Sequence, residues 1–318
     1  MTHTLNIDTH LLTQQIKDRA RVEGFDKVGI VPAQALTGER ARLLEWLARG
    51  YQGEMAWLAR DPEKRIDPEK IFPSARSVIV VAINYYTSHK HQDSSGSGKV
   101  SRYAWGDDYH EVVGEKLRSL MSWIRQEVPE ADGKACVDIQ PIMDKAWAVR
   151  AGLGWLGKHT NVITPEHGSW VFIGELLVNL ELEYEVNLVE DHCGTCTLCI
   201  DACPTQAIAE PYVVDSRRCI SYATIELRDS ELPELIAENL QGWLYGCDIC
   251  QDVCPWNRFE QQTSEPRFEP RPGNVSAGLA EIVSLTPDTY AERFRHSAMK
   301  RAKLSGLHRN ARTLLNRQ

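Results

Sequence analysis

No stretch of the 318 residues approaches the ~18 consecutive apolar residues that a membrane-spanning helix needs, so hydropathy excludes a bilayer span. Residues Met1 to Leu12 lack the basic start, apolar centre and small-residue cleavage site of a secretory signal, and a cytoplasmic protein is expected. Glycine (21) and proline (15) are too few for a collagen-like or low-complexity polymer. With 42% hydrophobic and 25% charged residues the chain should fold, in about two domains at ~150 residues each. Positive charge is also short. The 36 Lys and Arg against 44 Asp and Glu leave a net charge of −8, which argues against a surface that binds nucleic acid everywhere. There is no P-loop and no G-x-G-x-x-G between a strand and a helix. Gly152-Leu-Gly154-Trp-Leu-Gly157 has the spacing but follows a helical pattern, and reads as a turn whose glycines allow close backbone approach.

What the chain does have is a cluster of cysteine. Eight of the nine cysteines lie between Cys193 and Cys254, and Cys136 stands alone. Thiols stay reduced in the cytosol, so such density points to metal ligation or redox chemistry and away from disulfides. Cys193, Cys196, Cys199 and Cys203, followed by Pro204, have the C-x2-C-x2-C-x3-C-P spacing of bacterial ferredoxins. A second set is Cys219, Cys247, Cys250 and Cys254, followed by Pro255. A zinc site would show paired knuckles or Cys/His mixtures; eight thiolates instead match two [4Fe–4S] clusters with none left over. In two-cluster ferredoxins the fourth cysteine of a run crosses to the neighbouring cube. That topology assigns Cys193, Cys196, Cys199 and Cys254 to one cluster, and Cys203, Cys219, Cys247 and Cys250 to the other. The prolines end the short helix at each crossing ligand. Cys136, at a strand start, is expected to be a small buried hydrophobe.

Apolar spacing at Leu11, Leu12 and Ile16, and at Leu43, Leu44, Trp46 and Leu47, predicts helices over 8–24 and 37–59, with Gly50 at a helix stop. Ser77-Val-Ile-Val-Val-Ala-Ile-Asn84 reads as a buried strand and 92–98 as a flexible loop. Helices follow over 109–128 and 145–152, and strands over 135–139, 160–164 and 170–178. Alternating elements over about 180 residues predict a mixed α/β layer structure. Glu265-Pro-Arg-Phe-Glu-Pro-Arg-Pro272 marks a boundary, after which 279–283 and 289–317 are helical. Three segments are therefore expected: 1–184, 185–264 and 265–318. From Arg293 onward there are eight Lys or Arg and no Asp or Glu.

A free ferredoxin needs no α/β domain of this size in front of it, so the clusters should feed a cofactor held there. Several ordered motifs carry a resemblance. Ser101-Arg-Tyr-Ala-Trp-Gly-Asp-Asp-Tyr-His110, Asp144-Lys-Ala-Trp-Ala-Val-Arg-Ala-Gly-Leu-Gly154, Gly157-Lys158, Ile163-Thr-Pro-Glu-His-Gly-Ser169, Arg218-Cys-Ile-Ser221 and Tyr245-Gly-Cys-Asp-Ile-Cys-Gln-Asp-Val-Cys-Pro-Trp-Asn257, with the run Cys193 to Pro204, resemble the epoxyqueuosine reductases.

The resemblance implies an α/β (α+β), nitroreductase-like cobalamin-binding domain related to corrinoid reductive dehalogenases, an embedded bacterial-type two-[4Fe–4S] ferredoxin module and a short C-terminal helical tail without the helical-repeat extension of some relatives. It implies a cobalamin-dependent reduction of epoxyqueuosine to queuosine at the wobble position of tRNA. Asp144 matches the proton donor, which would require burial beside Ile142, Met143 and Trp147 to raise its pKa; as a plain helix residue Asp144 would cap the helix beginning at Lys145. Arg65, Ser101, Tyr103, Lys158, Thr164, Gly168, Ser169 and Ser221 are implied to line the corrin and the entering nucleotide. No D-x-H-x-x-G stretch offers an axial histidine, so the cobalamin is expected base-off. For tRNA, affinity depends on local phosphate contacts more than on net charge. Arg295, Lys300, Arg301, Lys303, Arg309 and Arg312 form the basic block, joined by Arg102 and Arg150, with Trp105, Tyr109 and Trp170 as stacking platforms. A low-potential donor such as flavodoxin or ferredoxin and a monomeric state complete the expectation. The rival readings are a corrinoid dehalogenase of a small halogenated substrate and a non-catalytic electron-transfer module.

Overall fold

The computed structural model describes residues 8–92, 94–185 and 187–317. Met1 to Ile7, which open the segment read for a leader, Asp93 of the predicted loop, Val186 and Gln318 lie outside the described residues. The first part of the chain runs α1 (Thr9–Val22), β1 (Lys27–Pro32), α2 (Thr37–Ala48), α3 (Pro62–Ile66), β2 (Ser77–Asn84), β3 (Ser97–Val100), α4 (Tyr109–Glu127), β4 (Gly133–Cys136), α5 (Asp144–Arg150), β5 (Trp155–Leu156), β6 (Val162–Ile163) and β7 (Val171–Val178). The cysteine region holds α6 (Leu198–Asp201), β8 (Ile208–Glu210), β9 (Val213–Val214), α7 (Ile220–Ile225), α8 (Glu234–Glu238), β10 (Trp243–Tyr245) and α9 (Ile249–Asp252). Then follow β11 (Ser276–Gly278), α10 (Leu279–Ser284), α11 (Pro287–Arg293) and α12 (Lys303–Leu315).

The main sheet has the order β1-β2-β7-β4, antiparallel throughout. Every residue of β2 is buried because both faces are covered. Ile79, Val81 and Ile83 point into the core shared with α1 and α4, while Val78, Val80 and Ala82 meet Trp147 and Ala148 of α5. Side-chain caps start the helices on the first face: Asp8 accepts from Leu11 N–H, and Asp108 from His110 N–H. The predicted 37–59 helix stops at Ala48, where Gly50 takes φ +67°, and resumes only as a short 3-10 turn over Ala56–Leu58. β1 was not predicted; its few apolar residues end at Pro32, which an edge strand tolerates.

The second sheet, β10-β3-β11, takes one strand from each of the three predicted segments. Its core joins Val100 and Trp105 to Leu244, Tyr245, Leu279, Phe294 and Leu307. The first segment has cores of its own on both faces of the main sheet, whereas the core around the second sheet is shared by all three segments. The predicted helix over 289–317 is two helices separated by a turn in which His296 has φ +56° and Ser297 caps the 3-10 turn Ala298–Ala302. Among the described residues no helix is long and apolar enough to cross a membrane.

Candidate active site

Between the main sheet and the cysteine region lies a cavity of about 500 Å³. Its sheet wall is Tyr85 with Val171, Phe172 and Ile173 of β7; its far wall carries Cys203, Cys219, Cys247 and Cys250. Asp138, Asp144, Lys145 and the turn His159–Val162 close one side.

The carboxylates on that side are held in different states. Asp138 has φ +54°, a left-handed conformation that Asp tolerates better than most residues. Tyr109 Oη donates to Asp138 Oδ2 at 2.5 Å, and His110 Nε2 lies 3.5 Å from the same oxygen. Burial would raise Asp138, but these partners outweigh it and keep the group below the usual carboxylate range. Burial would likewise depress His110, yet Asp108 and Asp138 push it up to about 9. The Asp138 N–H donates to Asp144 Oδ1 at 3.1 Å. Asp144 has no cation beside it of comparable effect: burial, then repulsion from Asp138, pushes its pKa up to about 6. Two neighbouring acids pushed apart in this way make one a fixed charge and the other a proton donor. The helix N-cap is Met143, without a side-chain cap, and Asp144 is the first helical residue. The capping role considered for Asp144 is therefore not the one its carboxyl takes.

The eight clustered thiols fall into two neighbouring groups. Cys199 and Cys254 face Cys193 and Cys196, and Cys193 packs with Cys254 beside Trp155 and Trp256. Cys219, Cys247, Cys250 and Cys203 face one another across the cavity wall, and Cys250 also faces Cys199 of the first group. Among the described residues no three His, Cys, Asp or Glu side chains sit close enough to share one ion. Cys136 is fully buried and away from both groups, as its sequence context suggested.

Of the residues implied to line a cofactor, Ser101, Tyr103, Asp144, Ser169 and Ser221 border the cavity. Arg65, Lys158, Thr164 and Gly168 do not. Arg65 donates to the carbonyls of Trp57 and Leu58 and lies over the Trp57 ring. Lys158 Nζ donates to the carbonyls of Gly194 (2.6 Å) and Cys196 (3.0 Å), clamping the first cysteine loop. Thr164 Oγ1 donates to the Gly168 carbonyl, and Gly168, at φ +58°, packs where a Cβ would meet Asn257 Oδ1 at 2.0 Å.

The nucleic-acid candidates separate as well. Trp105 and Trp170 are each 1% exposed, so neither offers a ring face to a base. Arg102 is enclosed by Tyr86, Trp105 and Trp170. Arg309 is 7% exposed and donates to the carbonyls of Ala223, Leu227 and Asp229, which makes it a core residue. Arg301 is paired with Glu226 through two 2.8 Å bonds. Arg295, Lys300, Lys303 and Arg312 remain on the surface; Arg150 is half-buried over Trp147, and Tyr109 lines the cavity.

Sequence reasoning missed Asp138, Lys145, His159 and Asp248. Asp248 is buried between two cysteines, accepting from Ser101 Oγ at 2.5 Å and Arg102 N–H at 2.7 Å, and so ties the Ser101 loop to the Cys247–Cys250 loop. Lys145 and Asp248 stand inside motifs that carry the resemblance but next to a more conspicuous acid or cysteine, and Asp138 takes its charge from Tyr109 and His110, which are distant in the chain.

Residues 65–139 match the family model "Epoxyqueuosine reductase QueG, DUF1730", and residues 192–257 match a "4Fe-4S double cluster binding domain". An epoxyqueuosine reductase of Synechocystis sp. is 49% identical over 291 residues, covering 91% of this chain and 100% of the relative. The chain belongs to the epoxyqueuosine reductase family. A crystal structure of an epoxyqueuosine reductase with an epoxyqueuosine-modified tRNA-Tyr stem loop superposes with a TM-score of 0.89 at 32% identity, over 96% of this chain and 81% of that one. The fold is shared more distantly with a catabolic reductive dehalogenase in complex with 3-bromo-4-hydroxybenzoic acid, at a TM-score of 0.50 and 17% identity, over 97% of this chain and 39% of that one. Within the epoxyqueuosine reductase fold, the double-cluster domain supplies one wall of the cavity and the α/β sheet supplies the other.

Proposed function

We propose that this chain reduces epoxyqueuosine to queuosine at the wobble position of tRNA, using a cobalamin in the cavity and electrons passed through two [4Fe–4S] clusters. The observation that carries the reading is that Asp144 and four clustered thiols border one cavity. The cavity lining joins the apolar Val171, Phe172 and Ile173 to the polar Ser101, Lys145 and Ser221, the mixed wall of a small-molecule or cofactor site. Its wall includes the buried His159, whose Nε2 has no partner. Ser101, Tyr103, Lys145, His159, Ser169 and Ser221 are the residues that would hold the corrin. When bound, the corrin supplies the electron-rich metal centre that cleavage of a carbon–oxygen bond requires.

Cys203, Cys219, Cys247 and Cys250 hold the cluster beside the cavity; Cys193, Cys196, Cys199 and Cys254 hold the outer one, where Cys193 and Cys196 are half-exposed. Electrons enter there from a low-potential carrier such as flavodoxin or ferredoxin. Converting the epoxide to the alkene removes one oxygen as water and consumes two electrons and two protons. Asp144 gives its proton to the oxygen that leaves carbon, and Asp138 stays charged beside it, held by Tyr109 and His110. The tRNA lies against Lys300, Lys303, Arg295, Arg312 and Arg150, and the working unit is a monomer of the cytoplasm.

The test is anaerobic reconstitution with iron, sulfide and cobalamin, followed by incubation with epoxyqueuosine-bearing tRNA and, in parallel, a brominated phenol. Two clusters and one corrin per chain with conversion of the tRNA alone are expected. Dehalogenation without tRNA conversion, or a protein that takes up no corrin, would overturn the reading.

A further inference from the structure

Glu175 lies in the middle of β7, a strand whose other side chains are apolar or glycine. It is 0% exposed. Its register partners are Val80 on β2 and Cys136 on β4, and neither carboxyl oxygen has a hydrogen-bond partner. An ionised carboxylate would be strongly disfavoured in such surroundings, so the side chain is held as the neutral acid. By the alternation of the strand it shares a face with Ile173 and Leu177, the face on which α5 packs. Asp144, the first residue of α5, is the charged group that acts on it most strongly, through an interaction short of regular hydrogen-bond geometry, and Asp138 is the next. The other titratable groups facing this pair are Lys145 on α5, Cys136 on β4 and Arg65 on α3; Tyr109 and His110 of α4 act through Asp138.

The proposed reaction takes two protons, one for the oxygen released from carbon and one for the hydroxyl that departs as water, and the cavity wall offers Asp144 as the acid for both. We infer that Glu175 is the second proton store of the site: it hands its proton to Asp144 after the first transfer, so that Asp144 delivers both within one turnover. The two electrons come through the clusters, water is the leaving group, and Glu175 regains its proton from solvent through Asp144 after the product has left. Glu175 does not touch the substrate and is a positioning residue. The inference rests on the function proposed above.

Two measurements test it. The first is infrared spectroscopy of the protein labelled with carboxyl-¹³C glutamate, at pH 8, where exposed glutamates are ionised. One protonated glutamate band is expected in the wild type and none in Glu175→Gln; its absence from the wild type overturns the inference, whether or not the variant folds. The second is turnover of Glu175→Gln and Glu175→Asp on epoxyqueuosine tRNA. Glu175→Gln should keep its clusters and KM and lose about 10²-fold in kcat at pH 8. The gap should close below pH 6, where solvent reloads Asp144 directly, and Glu175→Asp should recover part of the loss. No loss, or a loss equal at every pH, overturns the store and leaves the proposed function standing. A wild type without turnover overturns the function and the store together.

Discussion

Asp138 and Asp144 are six residues apart and differ in what surrounds them. Asp138 has a tyrosine hydroxyl and a cationic histidine; Asp144 has burial and Asp138 itself. Asp144→Asn should retain iron and corrin and lose turnover by about 10² or more, the usual weight of a general acid, measured as queuosine formed per chain. Because Asp144 must be protonated, activity should fall as pH rises through its pKa of about 6. Removing the like charge in Asp138→Asn lowers that pKa, so the limb should move to lower pH; a limb that stays in place or moves up would show that Asp138 does not act on Asp144. Asp144 is legible in the sequence through its motif. Asp138 is not, because its charge is set by Tyr109 and His110 on α4 and by a left-handed backbone, none of which a neighbouring residue announces. Glu175 does leave a trace: a lone acid inside an eight-residue strand that is otherwise free of charge.

At the scale of elements, the glycines read as a turn rather than a nucleotide fingerprint serve close packing. A Cβ on Gly154 would sit 2.1 Å from the Ile163 carbonyl oxygen, and one on Gly157 would sit 2.6 Å from Ile163 Cδ1, at the β5–β6 pair that carries the His159–Val162 turn into the cavity wall. Gly154→Ala should destabilise by at least the ~1–3 kcal/mol of overpacking, since backbone cannot yield as a side chain can, and calorimetry should show a lower Tm. The long strands β2 and β7 and helix α4 match their sequence patterns almost residue for residue, because each buries a long apolar face. The short strands β3, β10 and β11 were unreadable: three or four residues carry no period, and their pairing is set by partners more than a hundred residues away. Arg309 belongs to the same lesson. Its position in a basic run suggested a surface cation, yet α12 turns it into the core under α7. Arg309→Ala should leave three backbone carbonyls and Asn310 Oδ1 without their donor and lower Tm, without changing how tRNA binding responds to salt.

Over the whole molecule, the negative net charge and the proposed tRNA interface are compatible because charge is unevenly placed along the chain. All the acidic residues lie before Arg293, whereas Lys300, Lys303 and Arg312 are each exposed near the end of the chain. Replacing these three with alanine should flatten the log–log salt dependence of tRNA binding by ~0.7–0.9 for each phosphate that is no longer neutralised, with cluster content unchanged. The cysteine region shares a core and the second sheet, β10-β3-β11, with Val100 and Trp105 of the first segment, and Cys254 packs on Trp155 and Ile163 of the β5–β6 pair, so the cluster wall is tied to the chain that carries Asp144. A single-turnover measurement tests whether Asp144 works in that arrangement. Reconstituted, chemically reduced protein is mixed with epoxyqueuosine tRNA, and the modified nucleoside is weighed by mass spectrometry. The wild type should yield a nucleoside lighter by one oxygen atom while Asp144→Asn, equally loaded and equally reduced, leaves the epoxide intact; equal conversion by both proteins would contradict the account.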